Sequence, residues 1–441
     1  MTSDHTRRLA DLDHRHLWHP FTQMLDWLDD EPLIIERAEG FELIDTEGRR
    51  YLDGVSSLWV SVHGHRVPEI DQAISEQLGR IAHSTLLGLG GTPSIELAAR
   101  LVQLAPPGIE KVFFSEAGAA AVEVGLKMAF GYWQHRGVNS KRTFLALEKA
   151  YHGDTLGAVS VGGMDLFHSA YRPLLFDVYR APSPYHSEDA SLAAVEETFE
   201  KYANEICAFI LEPLVQAAAG MLTAPPGYLR KVRELCDRYD VLLICDEVAT
   251  GAGRTGTFFA CEQEDVAPDI IVAGKGLSGG YLPIAATMTT QAVFDAFLAP
   301  YAEFHTFFHG HTYTGNALTC AAALANLALM EERDTVGGVR EREAVLAKLL
   351  DPLRDHPHVA EIRQRGMMIG IELVRDRATT RAYEPEERTG HRVIGEARKN
   401  GVIIRPLGDV IVLMPPLATP IAELERLVSV TAGAIDAVTL P

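Results

Sequence analysis

Val241-Leu242-Leu243-Ile244-Cys245-Asp246-Glu247 is an unbroken apolar run that ends in two carboxylates, and Asp269-Ile270-Ile271-Val272-Ala273-Gly274-Lys275 is a second run that ends on a lysine. Short β-favouring runs without polar alternation read as strands buried on both faces, the pattern of a parallel sheet. In open α/β sheets ligands bind beyond the carboxyl ends of the strands, so Asp246 and Lys275 stand where chemistry is expected.

Outward from this pair, Lys111 to Ser115, Arg142 to Leu147 and Ala208 to Leu211 repeat the pattern, separated by helical stretches and bounded by Gly, Pro or Asp. The alternation predicts βα units and a large, mostly parallel-sheet α/β domain over residues 64–320. Upstream, Leu33 to Arg37, Phe41 to Asp45 and Tyr51 to Leu52 read as short strands, with Glu47-Gly48 as a turn. Downstream, a helix from Gly315 to Glu332 is followed by another helix, by strand-like pieces at Gly366 to Val374, Gly401 to Pro406 and Val410 to Met414, and by a last amphipathic helix. Residues 1–63 and 321–441 are therefore expected to form one smaller α+β domain built from both chain ends.

The chain has 441 residues, long enough for more than one domain, with 40 Lys and Arg against 60 Asp and Glu, a net charge of −20. That balance opposes nucleic acid and anionic membrane surfaces, and no basic run offsets it, so the expected partners are small molecules. Five cysteines, none in a CxxC pair, fit a reducing cytoplasm. Met1 to Pro20 lacks the apolar core of a signal peptide, and no apolar run reaches membrane-spanning length.

Three motifs point elsewhere. Gly251-Ala252-Gly253-Arg254-Thr255-Gly256 fits a dinucleotide fingerprint, but no amphipathic helix follows it. Gly276-Leu277-Ser278-Gly279-Gly280 would make Ser278 a hydrolase nucleophile, yet the next residues, Tyr281-Leu282-Pro283, cannot open the helix that such an elbow requires. His63-Gly64-His65 and His309-Gly310-His311 lack a third ligand at fixed spacing, so no metal is expected.

A lysine at one strand end and a carboxylate at another are what pyridoxal phosphate requires: an amine to bond its aldehyde and an anion to keep its pyridine nitrogen protonated. The phosphate needs a cup, and Phe113-Phe114-Ser115-Glu116-Ala117-Gly118-Ala119-Ala120 runs from a strand through small residues into a helix. The N–H groups of Gly118 and Ala119 at that helix start suit an anion.

Beyond this constellation the chain resembles the class III (ω-type) aminotransferases of fold type I. The resemblance runs through Leu17-Trp18-His19-Pro20-Phe21-Thr22-Gln23-Met24, Tyr51-Leu52-Asp53-Gly54, Tyr151-His152-Gly153-Asp154-Thr155, Asp246-Glu247-Val248-Ala249-Thr250-Gly251, Gly274-Lys275-Gly276 to Pro283, Thr312-Tyr313-Thr314-Gly315-Asn316 and Arg405-Pro406-Leu407-Gly408. It implies that Lys275 carries the cofactor and shuttles the proton, that Asp246 pairs with the pyridine nitrogen, and that Tyr151 and Val248 cover the two ring faces. His152, Glu212 and Gln216 would lie around the cofactor, while Gly118 and Ala119 would hold its phosphate with Thr312 of a second subunit. A homodimer with shared sites is thus implied. Arg405 would hold a substrate carboxylate, Arg254 would be a second polar anchor, and Phe21, Leu58, Trp59, Gly310 and Val412 would line the substrate pocket.

Within the family the likeness is strongest to the biotin-synthesis branch, which moves an amino group from S-adenosylmethionine to 8-amino-7-oxononanoate and gives 7,8-diaminononanoate. The chain departs from that branch at its pocket. Phe21 stands for a usual tyrosine, Leu58 for a tryptophan, Val412 for a tyrosine and Ala252 for an aromatic residue, and Ala119 lacks a hydroxyl. These changes imply a less polar, roomier pocket, and they keep open a broad amine:pyruvate or diamine ω-transaminase as the alternative.

Overall fold

The computed structural model describes residues 2–440; Met1 and Pro441, the outer ends of the two expected terminal segments, lie outside them. Its central sheet has seven strands: β1 (Ile109–Ser115), β2 (Thr143–Leu147), β3 (Tyr179–Ala181), β4 (Ile206–Leu211), β5 (Leu242–Asp246), β6 (Ile270–Ala273) and β7 (Ala285–Thr290). Their order in space is β1-β7-β6-β5-β4-β2-β3. Every neighbouring pair is parallel except the two made by β7, which runs antiparallel to β6 and β1.

Strands β4, β5 and β6 are buried along their whole length because alternate side chains are claimed by different helix layers. Leu242, Ile244, Ile270 and Val272 pack with Leu126 and Trp133 of the helix Gly118–His135. Leu243, Cys245 and Ile271 belong to the opposite core, with Leu229 and Val232 of the helix Tyr228–Arg238. Continuous apolar runs are the sequence consequence of that double cover.

The chain ends meet. Arg50–Asp53 pairs in parallel with Val402–Ile403, placing Leu52 opposite Val402, and completes a four-stranded sheet with Ile35–Glu39 and Glu42–Asp45. A separate antiparallel sheet joins Val359–Arg365, Met368–Leu373, Val410–Leu413 and Arg405–Leu407 in that order. The helix Ala317–Glu332 packs on the helices Pro68–Leu78 and Thr92–Leu104, so the connection toward the C-terminal sheet leaves from the flank of the large sheet.

Some elements were hidden in the sequence. Asp4–His16 is a helix despite its polarity: Ser3 caps it by accepting from the Thr6 amide at 3.2 Å, and Arg15 complements its C-terminal dipole. Val359–Arg365 is a strand whose charges obscure it, because Arg363 is buried and donates to Gly220 O at 2.9 Å and to Glu372.

Glu247, one residue past β5, is 1% exposed; it accepts from Thr250 Oγ1 at 2.6 Å and from the Cys261 amide at 2.8 Å. Burial pushes its carboxyl up to about 7 from an ordinary 4.5. The folded chain therefore holds a proton that the unfolded chain has lost, and the associated stability declines as pH rises from below 4.5 through about 7. Glu247→Gln should flatten this decline: between about pH 5.5 and 8.5 the wild type should lose roughly 2 kcal/mol more in urea unfolding than the variant. Equal losses would show that Glu247 is ionised throughout.

Candidate active site

Asp246 closes β5 at the carboxyl edge of the sheet. Its Oδ2 lies 2.7 Å from His152 Nδ1, and its Oδ1 accepts from the Val248 amide at 3.1 Å. His152 is itself buried, with no protein partner at Nε2. The carboxylate is thus fixed in direction by two donors, of which His152 is also removed from water.

Lys275 follows β6 and opens the short turn Lys275–Ser278 with a φ of 44°, in the left-handed region that a lysine rarely occupies. Asn326, fully buried in the helix Ala317–Glu332, braces this turn by donating to Gly276 O at 3.0 Å and Leu277 O at 2.9 Å. The Nζ atom stands 5.2 Å from the centroid of the Trp59 ring. Removal from water pushes the lysine pKa below its ordinary value, against the opposing pull of Asp246 and Glu212.

Val248 ties these parts together. A Cβ on Gly118 would come 2.8 Å from Val248 Cγ1, and one on Gly274 would come 3.4 Å from the same atom. The start of the helix Gly118–His135, the residue before Lys275 and the loop after Asp246 therefore converge on one side chain. No side chain caps that helix start, which leaves the Gly118 and Ala119 amides facing outward for an acceptor. Gly153 packs as tightly, since a Cβ there would lie 2.4 Å from Ala119 Cβ.

Tyr151 is half-buried and donates its hydroxyl to Asp154 Oδ2 at 2.7 Å; burial, reinforced by Asp154, raises its pKa, so the phenol stays protonated. Its amide donates to Glu212 Oε2 at 3.1 Å, while the Ala217 amide donates to Oε1 at 2.9 Å. Burial pushes Glu212 up to about 7. Gln216 accepts from Ser183 Oγ at 2.5 Å and donates to Glu148 O at 2.9 Å.

The expected substrate residues occupy two kinds of place. Phe21 and Leu58 are exposed, whereas Trp59 is buried in an apolar cluster with Val412, Leu214, Met221 and Met414. Ser56, Ser57 and Trp59 all have positive φ, and Asp53 holds that stretch by accepting from the Ser57 amide at 2.8 Å, with His65 Nε2 3.0 Å away. Arg254 is buried and donates to Pro415 O at 2.5 Å, Ser61 O at 3.3 Å and Ser56 Oγ at 3.4 Å; burial lowers it to about 9. Arg405 is half-buried, and its pKa is lowered by burial against the pull of Tyr151. Gly310 and Thr312 are exposed on a loop tied down by His311, whose Nδ1 is 2.7 Å from Glu116 Oε2. Ala252 packs against the turn after Lys275, since a Cβ on Gly276 would lie 2.8 Å from its own.

Phe167 and His168, which no motif announces, bring their rings against Tyr151. Ser278 is occupied elsewhere: its hydroxyl donates to Leu282 O at 2.6 Å and accepts from the Leu282 amide at 3.2 Å.

Comparison with known proteins settles the family. Residues 26–435 match the model for aminotransferase class-III. The chain is a class III aminotransferase. An adenosylmethionine-8-amino-7-oxononanoate aminotransferase of Nitratidesulfovibrio vulgaris is 58% identical over 449 residues, covering 98% of this chain and 82% of the relative. The crystal structure of the protein of that name from Methanocaldococcus jannaschii is 44% identical, with a TM-score of 0.96 over 98% of this chain and 100% of the other. An ω-transaminase from Pseudomonas jessenii, solved in complex with PMP, is 31% identical, with a TM-score of 0.94 over 98% of each chain.

The cofactor of this aminotransferase is pyridoxal 5'-phosphate, and the residues present fit it. A desolvated amine, a carboxylate oriented by a buried histidine and an uncapped helix start meet around Val248. The orphaned His152 Nε2 and the glycines that leave no room for a Cβ mark the same ground. Lys275→Ala, reconstituted with pyridoxal phosphate, should lack the absorbance of the lysine-bound cofactor and lose about a thousandfold in turnover. A variant that kept both would remove Lys275 from the chemistry.

Proposed function

We propose that this aminotransferase moves the amino group of S-adenosylmethionine onto 8-amino-7-oxononanoate, giving 7,8-diaminononanoate, a step of biotin synthesis. The observation that carries the reading is the 58% identity, across 98% of the chain, to a relative bearing the name of that reaction.

When bound, pyridoxal phosphate supplies an aldehyde that exchanges amines and a ring that draws electrons from the carbon bearing the nitrogen. Lys275, kept toward its neutral form by burial, takes the proton from the substrate carbon and returns one in the reverse half of the cycle. Asp246, aimed by His152 and the Val248 amide, holds the proton on the ring nitrogen. Tyr151 and Val248 would lie against the cofactor ring. Glu212 and Gln216, each held by two protein partners, would border it. The Gly118 and Ala119 amides would hold its phosphate. Arg405 takes the substrate carboxylate, and Arg254 braces the loop that carries Trp59 through Ser56 and Ser61.

The working unit is a homodimer. Thr312 is exposed in the single chain, and so are the large side chains Leu87, Leu89, Phe308 and Tyr313, which a second copy would cover. In the dimer Thr312 reaches the phosphate of the second copy.

A second reading, a broad amine:pyruvate or diamine ω-transaminase, draws on Leu58 and Phe21. Both side chains are open to solvent at the pocket and offer neither a hydroxyl nor an indole to a polar donor. A half-reaction separates the two. Holoenzyme mixed with S-adenosylmethionine should lose the lysine-bound cofactor band quickly, and conversion by simple aryl or aliphatic amines alone would sink the biotin-pathway reading. Leu58→Trp combined with Phe21→Tyr should raise the preference for the biotin-pathway pair, by about tenfold in relative kcat/KM. An unchanged ratio would show that these two positions do not set donor choice.

A further inference from the structure

Phe167 sits on the short helical turn Asp165–His168. Its ring meets Phe21 edge-on, with centroids 5.4 Å apart at 76°, and meets Tyr151 edge-on at 6.3 Å and 87°. It therefore links the ring beside the reacting groups to the ring on the outer rim. In an edge-to-face contact the edge of one ring meets the face of the other, so the three rings form one connected aromatic surface. The only polar group among the three rings, the Tyr151 hydroxyl, is taken by Asp154.

The turn is anchored from behind. His168 is buried and lies nearly parallel to Tyr151, at 16° and 6.4 Å. Gly162 makes room for it, since a Cβ there would come 2.6 Å from His168 Cε1. Phe167 is thus held beside Tyr151 rather than left to swing. Arg405, half-buried on the strand Arg405–Leu407, pairs with Val412, which packs with Trp59, the ring 5.2 Å from Lys275 Nζ. A cation and an apolar wall therefore border one site, which is the layout for a straight chain with a carboxylate at one end.

We propose that Phe167, together with Phe21, is a specificity-determining wall that binds the aliphatic chain of a straight-chain carboxylate substrate whose charged end is held by Arg405. The proposal deepens the biotin-pathway reading and rests on its assignment of Phe21 and Arg405 to the substrate pocket; 8-amino-7-oxononanoate has such a chain.

The test uses the holoenzyme and unreactive straight monocarboxylates from propionate to nonanoate, with Kd measured by calorimetry. In the wild type Kd should fall by about fourfold per added methylene over the length that spans the wall. Phe167→Ala should reduce this to less than about twofold per methylene while leaving propionate affinity unchanged. Phe21→Ala, a change at an exposed ring that the fold does not need, should flatten the series as well. A wild-type series without chain-length dependence, or variants that keep its slope, would overturn the wall. Because the probes carry neither an amine nor a keto group, the result is independent of the donor: a steep slope in an enzyme that ignores S-adenosylmethionine would sink the biotin-pathway reading and leave the wall standing.

Discussion

A lysine taken out of water sets the terms for the rest of this molecule. Desolvation disfavours the ammonium form of Lys275, which is what a nucleophile and proton carrier needs, but it also asks the protein to hold an isolated cation whenever the amine is charged. Asp246 and Glu212 oppose the shift from one side and the Trp59 ring lies near Nζ on another, so either protonation state finds partial support. Local backbone follows the same demand. Lys275 adopts a left-handed φ, and buried Asn326 satisfies two carbonyls of the turn it opens.

The topology explains how those groups reach one point. Parallel strands deliver their carboxyl ends to a single edge, so β5 and β6, adjacent in the sheet, present Asp246 and Lys275 side by side although 29 positions separate them in the chain. Strand β7 returns antiparallel between β6 and β1, which carries the edge on to Ser115 and the helix starting at Gly118. The chain ends then complete the surroundings. Gly54 donates to Ile403 O at 2.9 Å and accepts from the Met414 amide at 2.8 Å, so the loop bearing Leu58 and Trp59 is placed by residues from the far end of the sequence.

How much of this was legible depended on whether the signal was local. Continuous apolar runs marked β4, β5 and β6, and the step from apolar strand to small residues marked the uncapped helix start at Gly118, because double burial and close packing each constrain neighbouring residues directly. The short edge strand Tyr179–Ala181 left no comparable trace. Val359–Arg365 was masked because its arginine gains partners only after folding. The same divide runs through the site. Lys275 and Asp246 stand at the ends of their own runs, whereas Phe167 gains its place from Phe21 and Tyr151, and a ring in a polar stretch says nothing of what it will touch.

The pocket departures acquire different weights once burial is known. Val412 has no exposed surface and packs with Trp59, and buried Arg254 donates to Pro415 O, Ser61 O and Ser56 Oγ; both lie within the frame behind the substrate-facing surface. Leu58 and Phe21 are about half exposed, at 50% and 57%, so a hydroxyl or an indole there would stand in the open. A missing hydroxyl at an enclosed position chiefly changes how tightly neighbouring side chains pack, whereas one missing at an open position removes a hydrogen bond that a substrate could have made. On the proposed assignment of the pocket, donor and acceptor choice would be set more directly by Phe21 and Leu58 than by the buried pair. Leu58 stands on a loop held against the C-terminal strands through Gly54, whereas the Phe21 ring rests on Phe167, beyond the central sheet's β2.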